Sequence, residues 1–193
     1  SGLFYRRSGL NAGRKNVILT RDTRKGRPAL IADYCFEGVC DISAEFLASR
    51  GITALILDVD NTLTHDHDSE LPAHIAAWLR DIESAGVRAV IVSNNDEYRV
   101  KPFALECRLP FIAKAGKPLR SAFDKARAML NCEMGEIAVI GDQLFTDMAL
   151  ARAAGCIAIF VEPMGADILP FVRFKRALER PFMKHVRRRS IDQ

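Results

Sequence analysis

The chain predicts a doubly wound α/β fold, a parallel sheet with helices on both faces, and three observations carry that prediction. From Thr53 onward, short apolar runs alternate with stretches of helical periodicity. The run Ala54-Leu55-Ile56-Leu57 shows no polar alternation, which marks a strand buried on both faces. Polar clusters stand at the exits of successive runs, where sheets of this kind bind ligands.

The strands fall at Thr53–Asp58, Val87–Val92, Phe111–Ala113, Glu136–Ile140 and Cys156–Val161. The helices fall between them. Pro72–Ala85 opens on a proline and ends at Gly86; Glu97–Cys107 contains Pro102, which should kink it. Pro118–Asn131 again opens on a proline, and Phe145–Ala154 is closed by Gly155. Ahead of this block, Asp41–Leu47 has the pattern of a short capped helix leading into the first strand.

At 193 residues, with 49% hydrophobic and 27% charged residues, the chain suits one domain with terminal extensions. The boundaries expected are a basic extension over 1–30, an α/β domain over 31–166, and a basic amphipathic segment over 167–193. No apolar run reaches the roughly eighteen residues a membrane span needs, and no charged-then-apolar leader is present. Five cysteines without a C-x-x-C pair argue against a disulfide framework or a structural zinc site, so a reducing interior is expected, cytoplasmic or organellar. The net charge of +4 hides a partition: residues 1–30 carry +7 and residues 171–193 carry +6, leaving −9 on the body. Such basic ends are either solvated tails or arms for anionic lipid or nucleic acid.

Asp58-Val59-Asp60-Asn61-Thr62 follows the first buried run. Alternation along a strand starts Asp58 and Asp60 on one side, and two carboxylates that close call for a metal or a shared proton. The bland reading is an Asx turn and a helix cap. At the later exits stand Ser93-Asn94-Asn95, then Lys114-Ala115-Gly116-Lys117, then Gly141-Asp142 with Thr146-Asp147. Each alone could be a cap or a turn. Together, at successive strand ends, they supply a hydroxyl, an amide, a lysine and four carboxylates to one crevice, the parts that hold a phosphate and a divalent cation.

These motifs resemble those of haloacid dehalogenase (HAD) superfamily phosphatases: Asp58-x-Asp60-x-Thr62, Ser93, Lys117, and Gly141-Asp142-x-x-x-Thr146-Asp147. More narrowly, Leu57 to Leu63, Val92 to Asn95, Lys117-Pro118 and Gly141 to Leu144 are similar to the YqeG branch of subclass IIIA. That branch is related to eukaryotic phosphatidylglycerophosphate phosphatases. The similarity spans about residues 31–188. It implies a Rossmann-like sheet and a Mg²⁺-dependent phosphomonoesterase with an aspartyl-phosphate intermediate. Asp58 would then be the nucleophile and Asp60 the general acid and base. Asp58, the Asp60 main-chain carbonyl and Asp142 would hold Mg²⁺. Ser93, Asn94 and Lys117 would bind the phosphate, with Thr62 and Asp147 supporting from behind. Lys114 is the weaker candidate for the motif lysine.

Family members that act on small metabolites often insert a cap domain, and here the spacings leave no room for one. An open cleft favours a phosphate displayed on something large: a membrane, a protein or a nucleic acid. His65, Asp66, His67 and Asp68 form a short flap that reads as a solvated loop rather than a second metal site. Near the C-terminus, Phe171, Phe174, Leu178, Phe182 and Val186 share one helical face, with Arg173, Arg176, Arg180, Lys184 and Arg187 opposite. Pro181 should break that helix. It either packs on the domain or lies in an anionic lipid interface. Taken with these features, the resemblance to phosphatidylglycerophosphate phosphatases implies a lipid phosphate, phosphatidylglycerophosphate first, as the expected substrate, with peripheral membrane contact. Another large phosphoester, or RNA binding through a vestigial site, is the alternative.

Overall fold

Continuous apolar sequence puts β3 (Ala54–Leu57) at the middle of the sheet, with every residue buried. The computed structural model describes residues 18–19, 32–66, 68, 70–165 and 177–178. Ahead of β3 come β1 (Ile18–Leu19), β2 (Tyr34–Phe36) and α1 (Ala44–Ser49). After it come α2 (Ala73–Ser84), β4 (Arg88–Val92), α3 (Glu97–Cys107), β5 (Phe111–Ile112), α4 (Arg120–Leu130), β6 (Ile137–Gly141), α5 (Ala149–Ala154) and β7 (Ile157–Val161). The sheet order is β1-β2-β7-β6-β3-β4-β5, parallel throughout except for β1 against β2.

Alternate residues of β3 feed two cores. Leu55 and Leu57 join one with Leu47 of α1, Ile75, Trp78 and Ile82 of α2, and Val100 and Phe103 of α3. Ala54 and Ile56 join the other with Phe123 and Leu130 of α4 and Leu150 and Ala154 of α5. Both faces of the sheet are thus covered by helices, as the alternating pattern predicts. Each fully buried Leu, Ile or Phe contributes about 1.5–3 kcal/mol, so the two cores hold the strands firmly in register. Register matters for function here. Leu57 pairs with Ile91 of β4 and Ile140 of β6, so three strands deliver their exit loops side by side.

The structure corrects several expected elements. The stretch 41–47 is a 3₁₀ turn (Val39–Asp41) followed by α1, whose cap is Ser43, its Oγ accepting from the Phe46 amide at 3.2 Å. α3 keeps its expected bounds with Pro102 inside; the carbonyl that loses a partner belongs to exposed Tyr98, where water can satisfy it. α4 starts at Arg120 and not at Pro118, because the Lys117 main chain is held elsewhere by Asn94. The helix expected over 145–154 divides into a π-helical turn, Leu144–Met148, and α5. The sequence pattern does not predict β2, since Tyr34-Cys35-Phe36 is too short to show periodicity; it extends the sheet beside β7. Ile18 and Leu19, from the basic N-terminal segment, add β1 at that edge.

Candidate active site

The crevice lies beyond the carboxyl ends of β3, β4 and β6, and its centre is Lys117. The ammonium donates to Asp58 Oδ1 and to Asp147 Oδ1, each at 2.7 Å, with all three side chains buried. Backbone hydrogen bonding sets each partner in place. The Asp58 amide continues the β3–β6 ladder by donating to the Ile140 carbonyl at 3.0 Å. Asn94 grips the Lys117 main chain at two points, accepting from its amide at 2.7 Å and donating to its carbonyl at 3.1 Å. Lys114, the weaker candidate, is exposed and pairs with Asp96 at 2.7 Å.

Asp147 sits on the π-helical turn, where Met148 N–H reaches back five residues to the Gln143 carbonyl at 3.3 Å. Such turns recur at functional sites because they re-aim a side chain. Asp147 Oδ2 accepts from the Gln143 amide at 3.2 Å and the Thr146 hydroxyl at 3.3 Å. Gly141 makes room for it: a Cβ there would lie 2.3 Å from Asp147 Cγ. Asp142, fully buried, accepts a long hydrogen bond from Thr62 Oγ1 at 3.4 Å. Oxygens of Asp58, Asp142 and Asp147 lie within 4.8 Å of one another, the one such group of three found among the described residues.

Charge at this point is concentrated. Three carboxylates crowd one ammonium in a buried place. Burial is the largest influence on Asp58 and pushes its carboxyl up to about 7; Lys117 opposes the rise, while Asp147 and Asp60 add to it. Burial also works against the charge on Lys117, yet Asp147 and Asp58 together outweigh it and hold the amine above its usual range. A divalent cation would offset the repulsion among the carboxylates, and three hard carboxylate oxygens are the donors that Mg²⁺ accepts.

The other expected residues surround this centre. Ser93 is buried, its Oγ accepting from the Asn95 amide at 3.1 Å and its hydroxyl hydrogen left to donate. Asn61 takes a positive φ of 59°, turning the chain so that its amide meets the Thr64 carbonyl at 2.7 Å. That turn swings Asp60 away from the Lys117 group. Asp60 Oδ2 accepts from Asn95 Nδ2 at 2.6 Å, and Oδ1 accepts from Arg99 Nη2 at 2.7 Å.

The sequence pattern gives no role to Arg99, and it places Asn95 in the second motif without its contact to Asp60. Arg99 looked like a surface residue of a helix, and no local signal ties it to a carboxylate 39 positions away. In the flap, His65 and Asp68 are exposed, and Asp68 Oδ1 accepts from the Glu70 amide at 3.1 Å. His67 lies outside the described residues. So does the C-terminal amphipathic stretch except for exposed, helical Ala177 and Leu178.

Two family models match the chain. One, described as mitochondrial PGP phosphatase, covers residues 25–100 and the first two strand exits; the other, HAD-hydrolase-like, covers residues 114–163 and the last two. A probable phosphatase, YqeG of Bacillus subtilis, is 32% identical over 160 residues, 83% of this chain and 93% of that protein. A chloroplastic phosphatidylglycerophosphate phosphatase 1 of Chlamydomonas reinhardtii is 28% identical over 65% of this chain, which spans about half (50%) of its length. Among solved structures, an uncharacterized protein of Listeria monocytogenes serotype 4b shares the fold with a TM-score of 0.50 at 19% identity. That match covers 66% of this chain and 97% of that one. On the extent of the YqeG match, and with the strand-exit motifs on one sheet edge, this chain belongs to the haloacid dehalogenase superfamily, as a phosphatase of the YqeG type.

Proposed function

We propose that the chain is a Mg²⁺-dependent phosphomonoesterase that works through an aspartyl phosphate on a lipid phosphate, phosphatidylglycerophosphate being the first candidate. The observation that carries the chemistry is the buried Lys117–Asp58 pair at 2.7 Å within a group of three buried carboxylates. Asp58, Asp142 and the Asp60 main-chain carbonyl would hold the ion, whose chemistry when bound is to neutralise charge on the phosphoryl oxygens.

The chain's own residues divide the remaining work. Lys117 occupies Asp58 Oδ1, which leaves Oδ2 to attack phosphorus in line with the leaving oxygen. The new Asp–O–P bond forms as the bond to the leaving oxygen breaks, and Asp60 gives that oxygen its proton. In the second half, Asp60 takes a proton from water, whose oxygen displaces Asp58 and releases inorganic phosphate. Lys117 and the Ser93 hydroxyl stabilise charge on the phosphoryl oxygens. Asp147 holds Lys117 in line, and Asn94 holds its backbone.

Support for a lipid substrate comes from two sides. The PGP phosphatase model matches the segment bearing Asp58, Asp60 and Ser93, and two plant-lineage relatives carry that enzyme's name. Among the described residues, 58–72 and 93–119 hold a short flap and the α3–β5 unit with no inserted cap domain, an arrangement that favours a large partner. No helix among the described residues is long and apolar enough to cross a membrane. The test is phosphate release from phosphatidylglycerophosphate in vesicles with Mg²⁺, for wild type and Asp58→Asn. Turnover of soluble sugar or nucleotide phosphates alone would remove the lipid substrate, and turnover surviving in Asp58→Asn would remove the mechanism.

A further inference from the structure

Arg99 is held in a way that its structural contacts do not explain. One nitrogen, Nη2, makes both of its hydrogen bonds: 2.7 Å to Asp60 Oδ1 and 2.6 Å to the Asp68 main-chain carbonyl in the flap. Nε and Nη1 are buried and have no partner among the described residues. Leaving donors of a guanidinium buried and unpaired is costly, and lysine or glutamine could hold Asp60 without that cost. The arrangement is explained when an acceptor arrives during function. The flap carbonyl then acts as a stand-in, since a cation hydrogen-bonds an anionic oxygen about twice as strongly as a neutral one.

The position of Arg99 states where that acceptor must lie. On the reading of Asp60 as the group that protonates the leaving oxygen, whatever lies next to Asp60 is the leaving group. We infer that Arg99 is a specificity-determining residue: it takes an anionic group, carboxylate or phosphodiester, carried by the leaving group next to the scissile phosphomonoester, whose oxygens pair with Nη1 and, in place of the Asp68 carbonyl, with Nη2. The inference rests on the proposed reaction and adds a recognition rule to it. Esters whose alcohol bears a second anion are the preferred substrates.

The experiment compares three soluble monoesters in Mg²⁺, which removes any contribution from membrane binding. Glycerol 3-phosphate has no second anion, 3-phosphoglycerate has a carboxylate, and glycerophosphoglycerol phosphate has a phosphodiester. Wild type should favour at least one anion-bearing ester over glycerol 3-phosphate by about ten- to a hundredfold in kcat/KM. Which ester it favours identifies the anion. In Arg99→Gln that ratio should collapse toward one, with Arg99→Lys in between. Any loss from a displaced Asp60 is common to the three esters and cancels in the ratio. A wild type without preference, or an Arg99→Gln that lowers all three esters equally, overturns the inference while leaving the reaction intact. Absence of turnover dependent on Mg²⁺ and Asp58 on every ester would remove the reaction and the inference with it.

Discussion

Asp58→Asn should stabilise the metal-free protein at alkaline pH while abolishing turnover. The Asp58 carboxyl is buried, and its pKa stands near 7 instead of 3.8, burial being the first cause. A carboxyl raised in the folded state binds its proton more tightly there than in the unfolded chain. The stability linked to that proton is fully present below about pH 4 and is lost as pH rises through about 7. At about 1.36 kcal/mol per pH unit, the rise from 3.8 to about 7 sets an upper bound of about 4 kcal/mol on the loss. Asparagine removes that loss but also the charge-assisted bond to Lys117, which keeps Asp147 as its partner. A net gain of about 1–3 kcal/mol is expected at pH 8, or roughly 2–4 °C in Tm per kcal/mol. Thermal unfolding in chelator at pH 5 and pH 8 measures it. The difference should shrink at pH 5, and saturating Mg²⁺ should reverse the order, since about a thousandfold excess over Kd adds about 4.1 kcal/mol to wild type alone. A lower Tm for Asp58→Asn at pH 8 in chelator would refute the account of crowded carboxylates.

Lys117→Met leaves Asp58 and Asp147 facing each other without their shared cation. It should cost about 3–5 kcal/mol in urea unfolding and lower kcat at least about a hundredfold. Gly141→Ala brings a methyl to 2.3 Å from Asp147 Cγ, so Asp147 must move; apparent Mg²⁺ affinity, read by titration of activity, should fall about 10- to 100-fold. Asn94→Ala releases both ends of the Lys117 main-chain clamp and should cost about 1–3 kcal/mol by thermal unfolding, with a fall in kcat and little change in KM. Ser43→Ala, far from the crevice, should cost about 1 kcal/mol through loss of the α1 cap and leave kcat unchanged.

By itself the sequence determined the local alternation of strands and helices and the polar set at each strand exit. Those are properties of a few neighbouring residues: an apolar run such as 54–57 shows its burial in its composition, and a helix such as α2 shows its buried face in its spacing. Asp58, Ser93, Lys117 and Asp142 were therefore legible as candidates before any coordinates. Only the tertiary structure decided which of them meet. The order β6-β3-β4 places the Asp58 loop between the loops bearing Asp142 and Ser93, and strand order leaves no trace in periodicity. The π-helical turn that aims Asp147 at Lys117 and the Asn61 turn that sends Asp60 toward Arg99 arise from hydrogen bonds between main chain and side chain, which composition does not encode. Arg99 is the clearest case. Nothing near it in sequence is unusual, and its meaning comes from a carboxylate that packing alone brings within 2.7 Å.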